Sequence, residues 1–248
     1  MTSATSSDLG LQFNAEPGAW RSGAELESPC RSWGGFYAKR ALDVVLSAAA
    51  ILVLIPIAVL IGVAIVLDST GPVFFVQRRA GSKRHSAGGR TFWTLGDFPM
   101  LKFRTMYADC DQRIHEQRIE DFVNNQRSAN GCFKPDRDPR ITPVGRWLRK
   151  FSFDELPQLV NVLIGNMSLV GPRPVPLYEA AHYQQGQLER LCALPGITGL
   201  WQVSGRAEST FEEMIELDIR YVRTRSAWVD LKLLFKTIPV VLTGRGGY

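Results

Sequence analysis

The sequence predicts the α+β class: a small, mostly helical domain with short strands, attached to a Pro-kinked apolar helix and carrying amphipathic helices suited to an interface. Three observations predict it. A run of 24 residues, Val44 to Leu67, contains no charge, and sixteen of its members are Ile, Leu or Val. Downstream, Phe211–Val222 and Leu231–Leu242 repeat their apolar residues at helical spacing. Val73-Phe74-Phe75-Val76, after Gly71-Pro72, is a short β-like run. The 248 residues allow one ordinary domain plus appendages. They divide into a tail (1–35), the apolar helix (36–70) and a folded domain (71–248).

The tail is rich in Ser, Gly, Ala and Glu, lacks apolar periodicity and reads as disordered. Lys39 and Arg40 introduce the apolar run. A straight helix over that run would reach about 36 Å, beyond the roughly 30 Å of a hydrocarbon layer. Pro56, near its centre, removes a helical hydrogen bond and predicts a kink. Basic residues flank both ends, with Arg78, Arg79, Lys83 and Arg84 on the far side. A spanning helix leaves one basic cluster outside. A helix bent at Pro56 that returns to the same face keeps both inside, as the positive-inside rule favours. The residues alone leave both topologies open.

Residues 81–97 hold Gly, Ser, Lys and Arg and read as a loop. Met100–Met106 fits a second strand, Tyr107–Gln126 a charged helix, and Gly131–Thr142 a polar turn region. Val144–Lys150 fits a short basic helix, and Leu159–Ile164 continues a helix from an acidic pair. Leu177–Leu194 reads as helical, and Pro195–Trp201 as a turn into a short strand. Leu231–Leu242 is Lys-bearing on one side and apolar on the other. It suits an interfacial helix or a core-packing one.

The net charge is +5. A basic balance beside an apolar segment favours anionic headgroups and phosphate-bearing substrates. Nucleic acid is not supported: no finger, RNA-binding aromatic motif or basic reading helix is present. Four scattered cysteines form no C-x-x-C pair and read as reduced thiols. Three dispersed histidines make no zinc pattern, and the apolar run starts too late for a cleavable signal. P-loop, G-x-G-x-x-G and G-x-S-x-G motifs are all absent.

The candidate chemistry lies in a few places. Ser152-Phe153-Asp154-Glu155 matches the capping-box pattern, so Glu155 could serve only as a cap. An Asp at a helix N-terminus would also stay ionised and could act as a nucleophile. Lys102 and Arg104 alternate along a strand and would share a face, either a solvated one or a phosphate clamp. Arg149 on the basic helix, Arg173 in Gly171-Pro172-Arg173-Pro174 and Arg206 in Ser204-Gly205-Arg206 are further candidates for binding substrate. A turn or surface role suits the last two equally.

These residues resemble the bacterial sugar transferases, the monotopic polyprenyl-phosphate phosphoglycosyl transferases. The resemblance runs from about Lys39 to Tyr248. It is carried by Lys39-Arg40-x-x-Asp43, Gly71-Pro72-Val73-Phe74-Phe75, Lys102-Phe103-Arg104-Thr105-Met106 and Asp138-Pro139-Arg140-Ile141-Thr142. Asp154-Glu155-Leu156-Pro157-Gln158-Leu159, Asn161-Val162-Leu163, Met167 to Pro174 and Pro195 to Arg206 complete it. Ile55 stands where such proteins often have Ser before the proline.

The resemblance implies transfer of a hexose-1-phosphate, galactose or glucose, from a UDP-sugar to undecaprenyl phosphate, initiating a surface glycan. It implies a catalytic dyad, Asp154 and Glu155, with Asp154 forming a phosphosugar intermediate. It also implies Mg2+ near Asp154, a re-entrant helix bent at Pro56, and a catalytic domain on the cytoplasmic face of the inner membrane. Two other functions fit the same cations and carboxylates: a magnesium-dependent nucleotide-sugar diphosphatase and a non-catalytic membrane adaptor. Oligomeric state is left open.

Overall fold

The computed structural model describes residues 20–29, 35–107, 138–204 and 210–243. Helix and strand are mixed, as the α+β class requires, and one long apolar helix leads into the domain. That helix, α1, runs over Phe36–Asp68 with Pro56 inside it. It is long and apolar enough to cross a membrane.

Both ends of α1 are fastened to the rest of the chain. At the N-terminal end, Lys39 Nζ donates to Asp230 Oδ2 at 2.7 Å and Arg40 to the Leu163 carbonyl at 2.7 Å. Asp43 Oδ1 accepts from the Leu169 N–H at 3.1 Å. At the C-terminal end, Ile61 and Ile65 pack with Phe103 and Leu148. Between Ala48 and Leu60 no residue is buried. Leu52 and Val53 are more than two-thirds exposed, so the apolar middle projects away from the fold.

The expected loop at 81–97 is part of a long hairpin. Strand β1 covers Glu25–Glu27, β2 Phe74–Ala87 and β3 Arg90–Phe103. β2 and β3 pair without interruption from Phe74↔Phe103 to Ala87↔Arg90. Gly88 (φ 57°) and Gly89 (φ 74°) make the two-residue turn. Two successive positive φ values suit the right-handed twist of a hairpin. The loop reading weighed the polar composition and overlooked this Gly-Gly signal. The strands are therefore long rather than short. β1 pairs antiparallel with β3, and Leu26 enters the core. Part of the predicted tail is thus an edge strand, because a single apolar residue between two glutamates suffices for a three-residue pairing.

The sheet order is β1-β3-β2. Helix α2 spans Pro143–Lys150, a single 3₁₀ turn Phe153–Glu155, and α3 Gln158–Ile164. Strands β4 (Ser168–Val170) and β5 (Gly196–Thr198) form a parallel pair. A Cβ on Gly196 would lie 2.1 Å from the Gly171 nitrogen, so only glycine permits that approach. The predicted continuous helix over 177–194 is broken. It consists of α4 (Leu177–Ala180) and a 3₁₀ helix, Gln185–Leu191, restarted by a Gln184–Gln187 capping box. The break turns Glu179 and Arg190 inward to one ion pair.

Helix α5 covers Leu200–Ser204, α6 Phe211–Thr224 and α7 Ala227–Thr243. The main core joins Trp93, Leu95 and Tyr183 to Phe211, Met214 and Val222. α7 buries Leu233 and Asp230 and exposes Trp228, Leu231, Phe235, Ile238 and Leu242. The region expected to be a charged helix, Tyr107–Gln126, lies beyond Tyr107 outside the described residues.

Candidate active site

Lys102, at the end of β3, meets the acidic pair. Its Nζ donates to Glu155 Oε1 at 3.0 Å and lies 3.6 Å from Asp154 Oδ2. Asp154 is buried and Glu155 half-buried. The capping box is not formed. Ser152 adopts a left-handed conformation (φ 57°), and its side chain caps nothing. Among the described residues it alone has positive φ without being glycine. Strain of that kind clusters at functional sites. It turns the chain sharply from α2 into the dyad, and Glu155 is released to pair with Lys102.

The electrostatics also differ from the expectation of an Asp held ionised by a helix end. Burial raises the Asp154 pKa above its ordinary value, and the neighbouring Glu155 adds to the rise. Lys102, and secondarily Arg149, pull it down without prevailing. The carboxylate sits in a single 3₁₀ turn, and a turn that short carries little macrodipole. A desolvated carboxylate with raised basicity is a stronger nucleophile once ionised.

Arg149 joins the site from α2. Its Nε donates to Thr105 Oγ1 at 2.8 Å. α2 is brought close by Gly145, where a Cβ would sit 2.2 Å from the Thr105 carbonyl oxygen. Thr142 caps the helix by accepting from the Gly145 N–H at 3.0 Å.

Arg104 goes elsewhere. It lies one residue past β3, and its buried guanidinium donates to the Ser69 and Thr70 carbonyls, each at 2.6 Å. Those carbonyls follow the C-terminus of α1, where orphan acceptors and negative dipole attract a cation. The shared face predicted for Lys102 and Arg104 is therefore corrected: the strand ends at Phe103, so alternation stops there. Arg173 lies over the Trp201 ring, 5.4 Å from its centroid, and its carbonyl accepts from Arg190 Nη2 at 3.2 Å. Arg206 lies outside the described residues. Pro56 sits in the exposed middle of α1.

Asn161 has a role its motif did not disclose. Its Oδ1 accepts from the Leu101 N–H at 2.9 Å, and its Nδ2 donates to the Pro99 carbonyl at 2.7 Å. One side chain thereby completes the free edge of β3 and bolts α3 to the strand that carries Lys102. Asn161→Ala takes the partner from the half-buried Leu101 N–H and from the Pro99 carbonyl. It is expected to cost roughly 2 kcal/mol, read as a lower denaturation midpoint.

Among the described residues no group of three His, Cys, Asp or Glu could hold a metal. Asp154 and Glu155 nevertheless supply adjacent hard oxygens. Mg2+ commonly takes one or two carboxylates and fills its remaining positions with water and substrate phosphates, so the donor set fits that ion.

A buried carboxylate, its flanking cations and a neighbouring apolar helix together form a candidate site suited to an anionic ligand. The family profile described as bacterial sugar transferase matches residues 35–244. The chain is 38% identical over 220 residues to the exopolysaccharide production protein ExoY of Rhizobium meliloti, covering 86% of this chain and 89% of that protein. It is 39% identical over 212 residues to the undecaprenyl-phosphate galactose phosphotransferase of Salmonella typhimurium, covering 86% of this chain but 42% of that one. The undecaprenyl-phosphate glucose phosphotransferase of Komagataeibacter xylinus is 36% identical over 221 residues, covering 85% of this chain and 37% of that one. The chain belongs to the bacterial sugar transferase family and is an enzyme of that kind. It spans nearly all of the ExoY protein and about two-fifths of the two phosphotransferases.

Proposed function

We propose that this enzyme transfers a hexose-1-phosphate from a UDP-sugar to undecaprenyl phosphate through a covalent intermediate on Asp154. The single observation that carries the reading is the buried Asp154 carboxylate held beside Lys102 and Arg149. An Asp154 oxygen attacks the β-phosphorus, the bond from that phosphorus to the bridging oxygen breaks, and UMP leaves with the bridging oxygen. A phosphate oxygen of the lipid then attacks the same phosphorus, and the Asp154–phosphorus bond breaks. Lys102 screens the charge of the arriving phosphate, and Arg149 offers a fork for a second phosphate oxygen. Glu155, on Lys102, keeps that ammonium aimed at the dyad. Mg2+, held by Asp154 and substrate oxygens, would neutralise diphosphate charge. The names of the relatives divide between galactose and glucose, and the sugar is one of these two.

We also assign α1 a re-entrant path bent at Pro56, with the domain on the cytoplasmic face of the inner membrane. A straight helix would separate Arg40 from Ile65 by about 37 Å. Yet Arg40 reaches Leu163 while Ile61 and Ile65 pack beside Leu156, and seven residues of helical backbone cover only about 10 Å. Return of the helix to one face reconciles the two. It also keeps the flanking basic residues inside.

The test is mass spectrometry of enzyme quenched with UDP-galactose or UDP-glucose before acceptor is added. The expected result is a hexose-phosphate adduct on the peptide containing Asp154, lost when undecaprenyl phosphate is supplied and absent with EDTA. Turnover to lipid-linked product without any adduct would overturn the covalent route.

A further inference from the structure

The residue paired across the hairpin from Lys102 is Phe75. Directly opposed residues of an antiparallel pair share a face of the sheet, so Phe75 stands on the side where Lys102 meets the dyad. Phe75 is 42% exposed, beside a cation and a buried carboxylate. Its neighbours Phe74 and Val76 are each 53% exposed. On the opposite face Phe74 stacks on Phe103, centroids 5.4 Å apart, and Phe103 packs with Ile61 and Ile65 of α1. An exposed apolar surface therefore wraps the start of β2, with Phe75 on the face of the cation at the dyad and Phe74 on the face toward Phe103 and the C-terminal end of α1.

Resting on the function proposed above, we propose that Phe75 holds the first isoprene units of the acceptor's tail, so that the lipid phosphate is presented to Asp154. Charge complementarity fixes one end: Lys102 and Arg149 take the phosphate. Continuity with α1 fixes the other: β2 is an edge strand, so the tail leaves over Phe75 and passes round that edge to Phe74 and the apolar helix. Phe75 is then a specificity-determining residue for the acceptor, distinct from the groups that perform the chemistry. A ring stacked on the donor's uracil is the competing arrangement, and kinetics separates the two.

The experiment uses the full chain in detergent or nanodiscs, with Phe75→Ala and Phe75→Leu compared with the unaltered protein. For Phe75→Ala the expected result is about a tenfold rise in KM for undecaprenyl phosphate. KM for the UDP-sugar and the UMP released in a single turnover without acceptor should not change. Phe75→Leu, which keeps apolar contact, should recover most of the loss. The half-exposed ring should leave the thermal midpoint in place, so a folding defect would not mimic this pattern. A rise in donor KM with acceptor KM constant would overturn the proposal in favour of the nucleotide, and no change in either would overturn it outright. If the unaltered protein releases no UMP from any UDP-sugar, the underlying function fails and this inference fails with it. An active parent with an indifferent Phe75→Ala rejects this inference alone.

Discussion

Asp154→Asn is expected to abolish turnover, by on the order of 10⁴-fold or more, while raising the thermal midpoint at neutral pH. Loss of activity follows from losing the attacking oxygen: an amide cannot form the phosphosugar bond. The gain in stability follows from burial. The folded-state pKa of Asp154 is raised above 3.8, with desolvation the largest cause. Ionisation therefore costs the folded state more than the unfolded chain. That cost is absent below the unfolded value, grows as pH rises, and is complete above the folded pKa. Asparagine avoids it, and Lys102 keeps its contact with Glu155. The variant's advantage in thermal midpoint should be largest near pH 8 and vanish toward pH 4. Activity of the unaltered enzyme should fall as the medium is acidified through the raised pKa, because only the ionised form attacks. Both readouts are needed. Near-normal UMP release from Asp154→Asn would sink the nucleophile assignment. A lower midpoint at pH 8 would mean that the Asp154 charge stabilises the fold instead.

The same carboxylate shows what the sequence made legible. Asp154, Glu155 and Lys102 were readable as a group because residue type and local order carry the chemistry. The boundaries of α1, α2, α3 and α6 followed from apolar spacing and a basic run. Arg104 was misread because one residue of strand length decides where a side chain points, and local pattern does not mark where β3 stops. Asn161 was passed over for a different reason. An amide mid-helix looks unremarkable until the free edge of β3 is known to lie 60 residues away in sequence. The two ends of the hairpin, at 73–76 and from 100, read as strands, but its middle at 81–97 was hidden by polar residues, with Gly88-Gly89 its local signal. Long-range partners, not local propensity, set all three.

Arg190→Met should be among the most destabilising single changes outside the site, by on the order of 3–5 kcal/mol, or roughly 10 °C in thermal midpoint. Arg190 is fully buried and serves two carboxylates, Asp218 in direct contact and Glu179 at 3.8 Å. Methionine fills much of its volume but leaves both acids in the core without the guanidinium, Asp218 keeping only the weaker pull of Arg173. The pH dependence identifies the cause. Burial already pushes Asp218 up to about 6 against the pull of Arg190, and loss of the guanidinium must raise it further. A raised folded-state pKa means stability lost as pH rises through it. The deficit of Arg190→Met should therefore be greatest at pH 8 and shrink as the pH falls toward 6, where Asp218 takes a proton in the variant first. Asp218→Asn should be far milder, since the neutral form is the one burial favours and Glu179 still answers the arginine. Arg190 also donates to the Arg173 carbonyl, so its loss loosens the Gly171–Pro174 turn along with the core. Thermal melts of the two variants at pH 8 and pH 5.5 decide the matter. Equal deficits at both pH values would show that lost packing, and not stranded charge, is what the arginine prevents.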